Sequence, residues 1–188
     1  MLPKKKLEAI QASVDEAMIE TNMDSDFGVD VELMAQKLGF AVRRLIMNLP
    51  DVIALMVIDD MNEEMKRQVG SDKLIALNSS YDEPHLRFAI AHEIGHFFMH
   101  RNELINGTNP VYFANVFTQQ KDNEEGIEGE ACRFAAMLLM DKRQFKTAYN
   151  KLKSIPEARE IDVIRDLAKL FVVPQKAVQR RIEEVAYE

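Results

Sequence analysis

The sequence predicts an α+β fold: a small, mainly antiparallel sheet packed on a pair of apolar helices, with a helical C-terminal region. Three observations carry this prediction. Short β-branched apolar runs, FAVRRLIM, DVIALMVIDD and KLIALNSS, bunch in the first half of the chain. Two longer and almost wholly apolar segments follow, LRFAIAHEIGHFFMH and IEGEACRFAAMLLM, at lengths that suit helices. Nothing between the runs is long enough for a helical crossover, which favours antiparallel pairing. With 188 residues, 47% of them hydrophobic and 29% charged, the chain can build one real core.

Taken in order, Leu7, Ile10, Val14, Ala17 and Met18 recur at helical spacing, so residues 4–21 should form an amphipathic N-terminal helix. The stretch TNMDSDFG is a loop, and Asp30 reads as the N-cap of a short helix, VELMAQKLG, stopped by Gly39. The three strands follow, the second and third joined by the polar connection MNEEMKRQVGSD. Pro84 suits the first turn of the next helix. Residues 102–127, with NGTNP and QQKDNEEG, form a long irregular connection carrying one extended piece at VYFANVF, and loops of this length are often functional. The second apolar helix and a more polar helical region complete the chain.

Composition excludes several classes of function. A net charge of −7 argues against non-specific affinity for nucleic acid. The single cysteine, Cys132, cannot form an internal disulfide, which favours a reducing compartment. LEAIQASVDEAMIE after the Lys4–Lys6 cluster is too charged for a signal or anchor, and VIALMVI and AAMLLM are too short to span a bilayer. The expected location is the cytoplasm, with no membrane partner.

The chemistry concentrates in AHEIGHFFMH. His92 and His96 stand four residues apart, on one helix face a turn from each other, where one tetrahedral ion can accept a nitrogen from each. Glu93 points to the side, placed to take a proton from water activated at the metal: this is HExxH, with glutamate as general base rather than ligand. The bland alternative is neutral core histidines with backbone partners, but a helix buried on most faces tolerates unpaired polar groups poorly. His100 is a third histidine in the same run, yet it lies about 12 Å from His92 along a straight helix, too far to share one ion with it. It reads as a helix-end residue, or at most as a group behind a ligand or beside a substrate. The third ligand must come from elsewhere, and Glu128 and Glu130 open the second apolar helix. They lie about 200° apart around it, so only one can face the metal; Glu128 shares its face with Cys132.

HEIGHFFMH followed by EGEACRFAAMLLM resembles the ImmA/IrrE family of zinc metallopeptidases, and KLIALNSS before LRFAIAHE resembles that family's strand, its asparagine and the lead-in to its zinc helix. The resemblance covers about residues 28–145. It implies a zincin-like minimal metalloprotease core within residues 1–150, with the sheet packed on a zinc-binding helix pair. Residues 151–188 read, from their own spacing, as a helical, helix-turn-helix-like extension packed on the same domain. The resemblance further implies one zinc ion per chain held by His92, His96 and Glu128, with Glu93 as the base. Two departures stand out. Cys132 replaces the usual Asn or Asp, the group that would accept a hydrogen bond from a ligand histidine; a thiol accepts more weakly, and it could also ligate zinc itself or sit as a small buried core residue. Asp141 replaces a proline after LLM.

The function implied is zinc-dependent endopeptidase hydrolysis, a peptide carbonyl being attacked by water while Glu93 moves the proton to the leaving amine. The substrate implied is a regulatory protein, a helix-turn-helix DNA-binding repressor, often encoded on the same mobile element, so the enzyme would act in transcription regulation. Tyr81, His85, His100, Arg101 and Tyr112 are candidates for transition-state or substrate contacts, and DVIALMVIDD is a candidate edge strand for an extended substrate. Two other classes remain open: a non-proteolytic zinc-binding regulator or toxin–antitoxin component, and a DNA-binding regulator acting through residues 163–184. In the latter stretch Ala168, a turn at Phe171–Val173 and Pro174 have helix-turn-helix spacing, with Ala177, Val178 and Ile182 inward and Gln175, Lys176, Gln179 and Arg180 outward. Val172 stands where glycine is typical, and Glu183 and Glu184 oppose DNA, so packing is the favoured role.

Overall fold

The computed structural model describes residues 3–24, 28–49, 51–58, 61–101, 111–114 and 126–186, with backbone alone described at 111–114 and 186. The described elements, in chain order, are α1 (Lys4–Thr21), α2 (Val31–Lys37), β1 (Phe40–Leu45), β2 (Ala54–Ile58), α3 (Glu63–Val69), β3 (Lys73–Asn78), α4 (Glu83–Met99), β4 (Val111–Ala114), α5 (Ile127–Leu139), α6 (Lys142–Lys153), α7 (Glu160–Phe171) and α8 (Gln175–Ala186). No described helix is long and apolar enough to cross a membrane.

Local signals explain most boundaries. The Asp30 carboxylate accepts from Leu33 N at 3.0 Å and starts α2, and Gly39 at φ +87° carries the chain out of it, a conformation that disfavours a Cβ. Asp82 accepts from His85 N at 3.2 Å, and Pro84 occupies the first turn of α4. Asp141 supplies an N-cap for α6, accepting from Arg143 N at 3.1 Å and Gln144 N at 3.0 Å. The replacement of proline there has this structural reason.

The sheet runs β1-β3-β2-β4, with β2 antiparallel to both β3 and β4. β1 pairs with β3 in parallel, Phe40 opposite Lys73 through Leu45 opposite Asn78. Two of the three described pairings are antiparallel, in line with a mainly antiparallel sheet, and β1–β3 is the parallel exception: the chain returns to β3 after a detour through β2 and α3, so no single long crossover is needed. The polar connection before β3 contains the helix α3, which has no buried residue and therefore no apolar stripe to reveal it. β2 is an interior strand, correcting its reading as an exposed edge; the outer strands are β1 and β4.

α4 is buried almost all round, every residue from Phe88 to Phe97 included, and it lies between the sheet and α5. Gly95 permits that closeness: a Cβ there would sit 3.0 Å from the Phe134 ring. Asn78, buried at the end of β3, donates to Leu49 O at 3.2 Å and Val52 O at 3.0 Å, tying the approach to β2 onto the sheet.

The C-terminal helices dock back onto this core. Buried Arg181 donates to Met140 O at 3.2 Å and to Glu184 at 2.9 Å, while Glu184 also binds Arg133 of α5. Arg87 of α4 donates to Phe171 O at 2.6 Å and Val29 O at 2.7 Å, bracing the end of α7. Val172 adopts φ +51°, the left-handed conformation that glycine would take more cheaply. Ala177 and Val178 are buried, Ile182 packs half-buried against the core, and Gln175 and Gln179 are exposed, as expected, whereas Lys176 and Arg180 are half-buried.

Candidate metal centre

The helical repeat of α4 stacks His92 and His96, and their rings meet edge to face with centroids 4.6 Å apart. Their Nε2 atoms lie 3.0 Å from each other. From the first turn of α5, Glu128 reaches both, Oε2 at 3.2 Å from His92 Nε2 and Oε1 at 3.2 Å from His96 Nε2. One donor atom from each of the three lies within 4.8 Å of the others. The histidines are 1% and 2% exposed, whereas the Glu128 side chain is 53% exposed, so one carboxylate faces outward over a buried pair of imidazoles.

The electrostatics of the cluster call for positive charge. Burial alone would raise the Glu128 carboxyl, but hydrogen bonds with His92 and His96 hold it well below the ordinary carboxylate range. Burial alone would lower His92, but the Cys132 sulfur and Glu128 lift it well above the ordinary imidazole value. His96, pulled down by burial and by the neighbouring His92, falls to about 4. A divalent cation held by all three residues would match the negative charge that Glu128 places over the buried imidazoles. Two imidazoles and a carboxylate form a donor set suited to such a cation.

Glu93 is fully buried beside the cluster, and neither of its carboxylate oxygens has a hydrogen-bond partner among the described residues. Burial, with the Glu128 charge adding and His92 opposing, pushes its carboxyl up to about 8. A buried carboxyl without a partner costs stability, and such groups belong to sites of chemistry.

Behind each histidine stands a different support. Cys132 Sγ lies 3.5 Å from His92 Nδ1, on the ring edge away from Glu128. The thiol therefore occupies the place where the expected Asn or Asp would accept a hydrogen bond, not a place among the three donors. His100 is buried at the end of α4, with Nδ1 3.1 Å from His96 Nδ1 and Nε2 3.3 Å from Glu130 Oε2. Glu130, which competed with Glu128 for the ligand role in the sequence, points instead to His100 and to Lys6 of α1 at 2.5 Å.

The remaining candidates lie elsewhere. His85 is bonded to Asp82 and Tyr81 stands near it, at the start of α4 and about 10.5 Å of helix from His92. Arg101 is exposed, its guanidinium 5.1 Å over the Phe97 ring. Tyr112 falls in β4, where its side chain lies outside the described residues, as do residues 102–110 and 115–125 of the long connection. Sequence reasoning missed Lys6, for which a helical lysine carries no signal, and the support that Glu130 lends to His100.

Residues 51–183 match the peptidase family described as the IrrE N-terminal-like domain, most of the chain and all of the clustered residues except Lys6. The match reaches beyond residue 145 into the C-terminal helices. No curated protein matches the chain. The chain belongs to the ImmA/IrrE family of peptidases.

Proposed function

We propose that this protein is a zinc-dependent endopeptidase that hydrolyses a peptide bond in a regulatory protein, a helix-turn-helix repressor, in the cytoplasm. The carrying observation is the convergence of His92, His96 and Glu128 beside a buried Glu93 with no partner of its own among the described residues. In this reading the three converging residues hold one zinc ion, and the sheet with α4 and α5 forms a zincin-like core. Zinc bound there would supply Lewis acidity, polarising the scissile carbonyl and acidifying a water. Glu93 takes the proton of the attacking water and delivers it to the leaving amine, a task its buried place beside the three converging residues allows. β4, outermost in the described sheet, offers backbone groups against which an extended peptide can lie. A site built only to stabilise the fold would have no use for Glu93, which favours catalysis over a purely structural zinc. The contacts of Arg181, Arg133 and Arg87 support packing as the role of the C-terminal helices.

The test incubates the zinc-loaded protein with a panel of helix-turn-helix repressors from the same genome and reads fragments by mass spectrometry. Cleavage of one of them at a defined bond is expected, and Glu93→Gln should keep its zinc and lose cleavage by about 10²–10⁴-fold. A Glu93→Gln protein that cleaves as fast as wild type would overturn the proposal.

A further inference from the structure

The contacts behind His96 carry a directional consequence. Glu130 is held by Lys6 Nζ at 2.5 Å on Oε1 and faces His100 Nε2 at 3.3 Å with Oε2. An ionised carboxylate only accepts hydrogen bonds, so His100 must donate through Nε2–H. In a neutral imidazole the other nitrogen is then a bare acceptor. His100 Nδ1 presents that lone pair to His96 Nδ1 at 3.1 Å, so His96 must donate through Nδ1–H. The lone pair of His96 is thereby left on Nε2, the nitrogen 3.2 Å from Glu128 and 3.0 Å from His92 Nε2, where a bound cation would take the place of the hydrogen bond to Glu128.

We infer that Lys6, Glu130 and His100 form a positioning relay that fixes the tautomer and ring orientation of His96 for metal binding. This rests on the proposed zinc site, and it adds three residues that do not touch the metal. The relay begins on α1, outside the matched residues 51–183, so the N-terminal helix acts on the site through it. Among the described residues His92 has no such chain behind its Nδ1, but the sulfur of Cys132, a weak acceptor.

The test combines two measurements. In the zinc-loaded protein, long-range ¹H–¹⁵N correlation spectra of ¹⁵N-histidine should show His96 bound through Nε2 with a proton on Nδ1, and His100 protonated on Nε2. Chelator competition should show zinc affinity about 10–100-fold weaker in His100→Phe and in Glu130→Leu. Glu130→Gln, whose amide oxygen can still accept from His100, should recover part of that loss, which a role in packing alone would not explain. Coordination of His96 through Nδ1, a proton on His100 Nδ1, or wild-type affinity in both disruptive variants overturns the relay. The spectra use unaltered protein and so stand even if a variant fails to fold. Failure of the site itself looks different: wild-type protein would then bind no zinc, whereas failure of the relay leaves wild-type zinc in place.

Discussion

Behind His92 stands one sulfur, Cys132 Sγ, 3.5 Å from Nδ1; behind His96 stands His100 at 3.1 Å, itself braced by Glu130 and Lys6. The two rings share a helix, a carboxylate and near-complete burial, so the difference lies entirely in what orients them. A metal site needs each imidazole to present the correct nitrogen, and the group on the opposite nitrogen does that orienting. Here Cys132 of α5 stands directly behind His92, whereas His100, at the end of α4, stands behind His96 and is itself braced by Glu130 of α5: a weak acceptor on one side, a charge-anchored chain on the other. The difference teaches that a departure such as Cys132 does not by itself weaken the whole site, because the neighbouring histidine is held independently.

The largest expected effect breaks both sides of the comparison together. Glu128→Ala removes the carboxylate that joins the two histidines and should abolish stoichiometric zinc binding, whereas Glu130→Ala should retain zinc with lowered affinity, as measured by metal analysis after dialysis; the reverse result would exchange the roles of these glutamates. Next, wild-type protein in zinc at a hundred times its Kd should gain about 2.7 kcal/mol against unfolding, and Glu128→Ala should gain nothing, read as a shift in Tm. Gly95→Ala should then cost about 1–3 kcal/mol in denaturant melts, because the added methyl meets the Phe134 ring at 3.0 Å and drives α5, with both supports, away from α4. Unchanged stability there would mean that the helices separate freely.

The smallest effect sharpens the asymmetry. Cys132→Ala should weaken zinc binding less than His100→Phe does, and Cys132→Asp, which restores a strong acceptor opposite His92 Nδ1, should tighten it. Equal losses from Cys132→Ala and His100→Phe in chelator competition would remove the distinction between the two sides.

How much of this could be read without coordinates follows from the range of each interaction. His92 and His96 were legible because four residues make about one helical turn, whereas spacing left Glu128 and Glu130 both open and only the family resemblance chose Glu128. α1, α2, α4 and α5 carried periodicity or cap residues strong enough to place them. The relay was not legible: Lys6 and Glu130 meet across more than a hundred residues of chain, and no local pattern encodes that meeting. The parallel β1–β3 pair and the interior place of β2 escaped for a related reason, since strand order is decided by tertiary packing rather than by composition. α3 escaped because a short helix with no fully buried residue, and with only Val69 of its apolar side chains half-buried, shows no apolar stripe. Val172 could be recognised as unusual in its turn, but the brace that Arg87 places on the adjoining carbonyl of Phe171 could not.

Zinc content of the protein, determined by elemental mass spectrometry after equilibrium dialysis against buffered zinc, bears most directly on the account. One zinc per wild-type chain, falling to none in both His96→Ala and Glu128→Ala while Glu93→Gln stays fully loaded, is the expected result. A wild-type chain that takes up no zinc, or a Glu128→Ala chain that keeps a full equivalent, would contradict it.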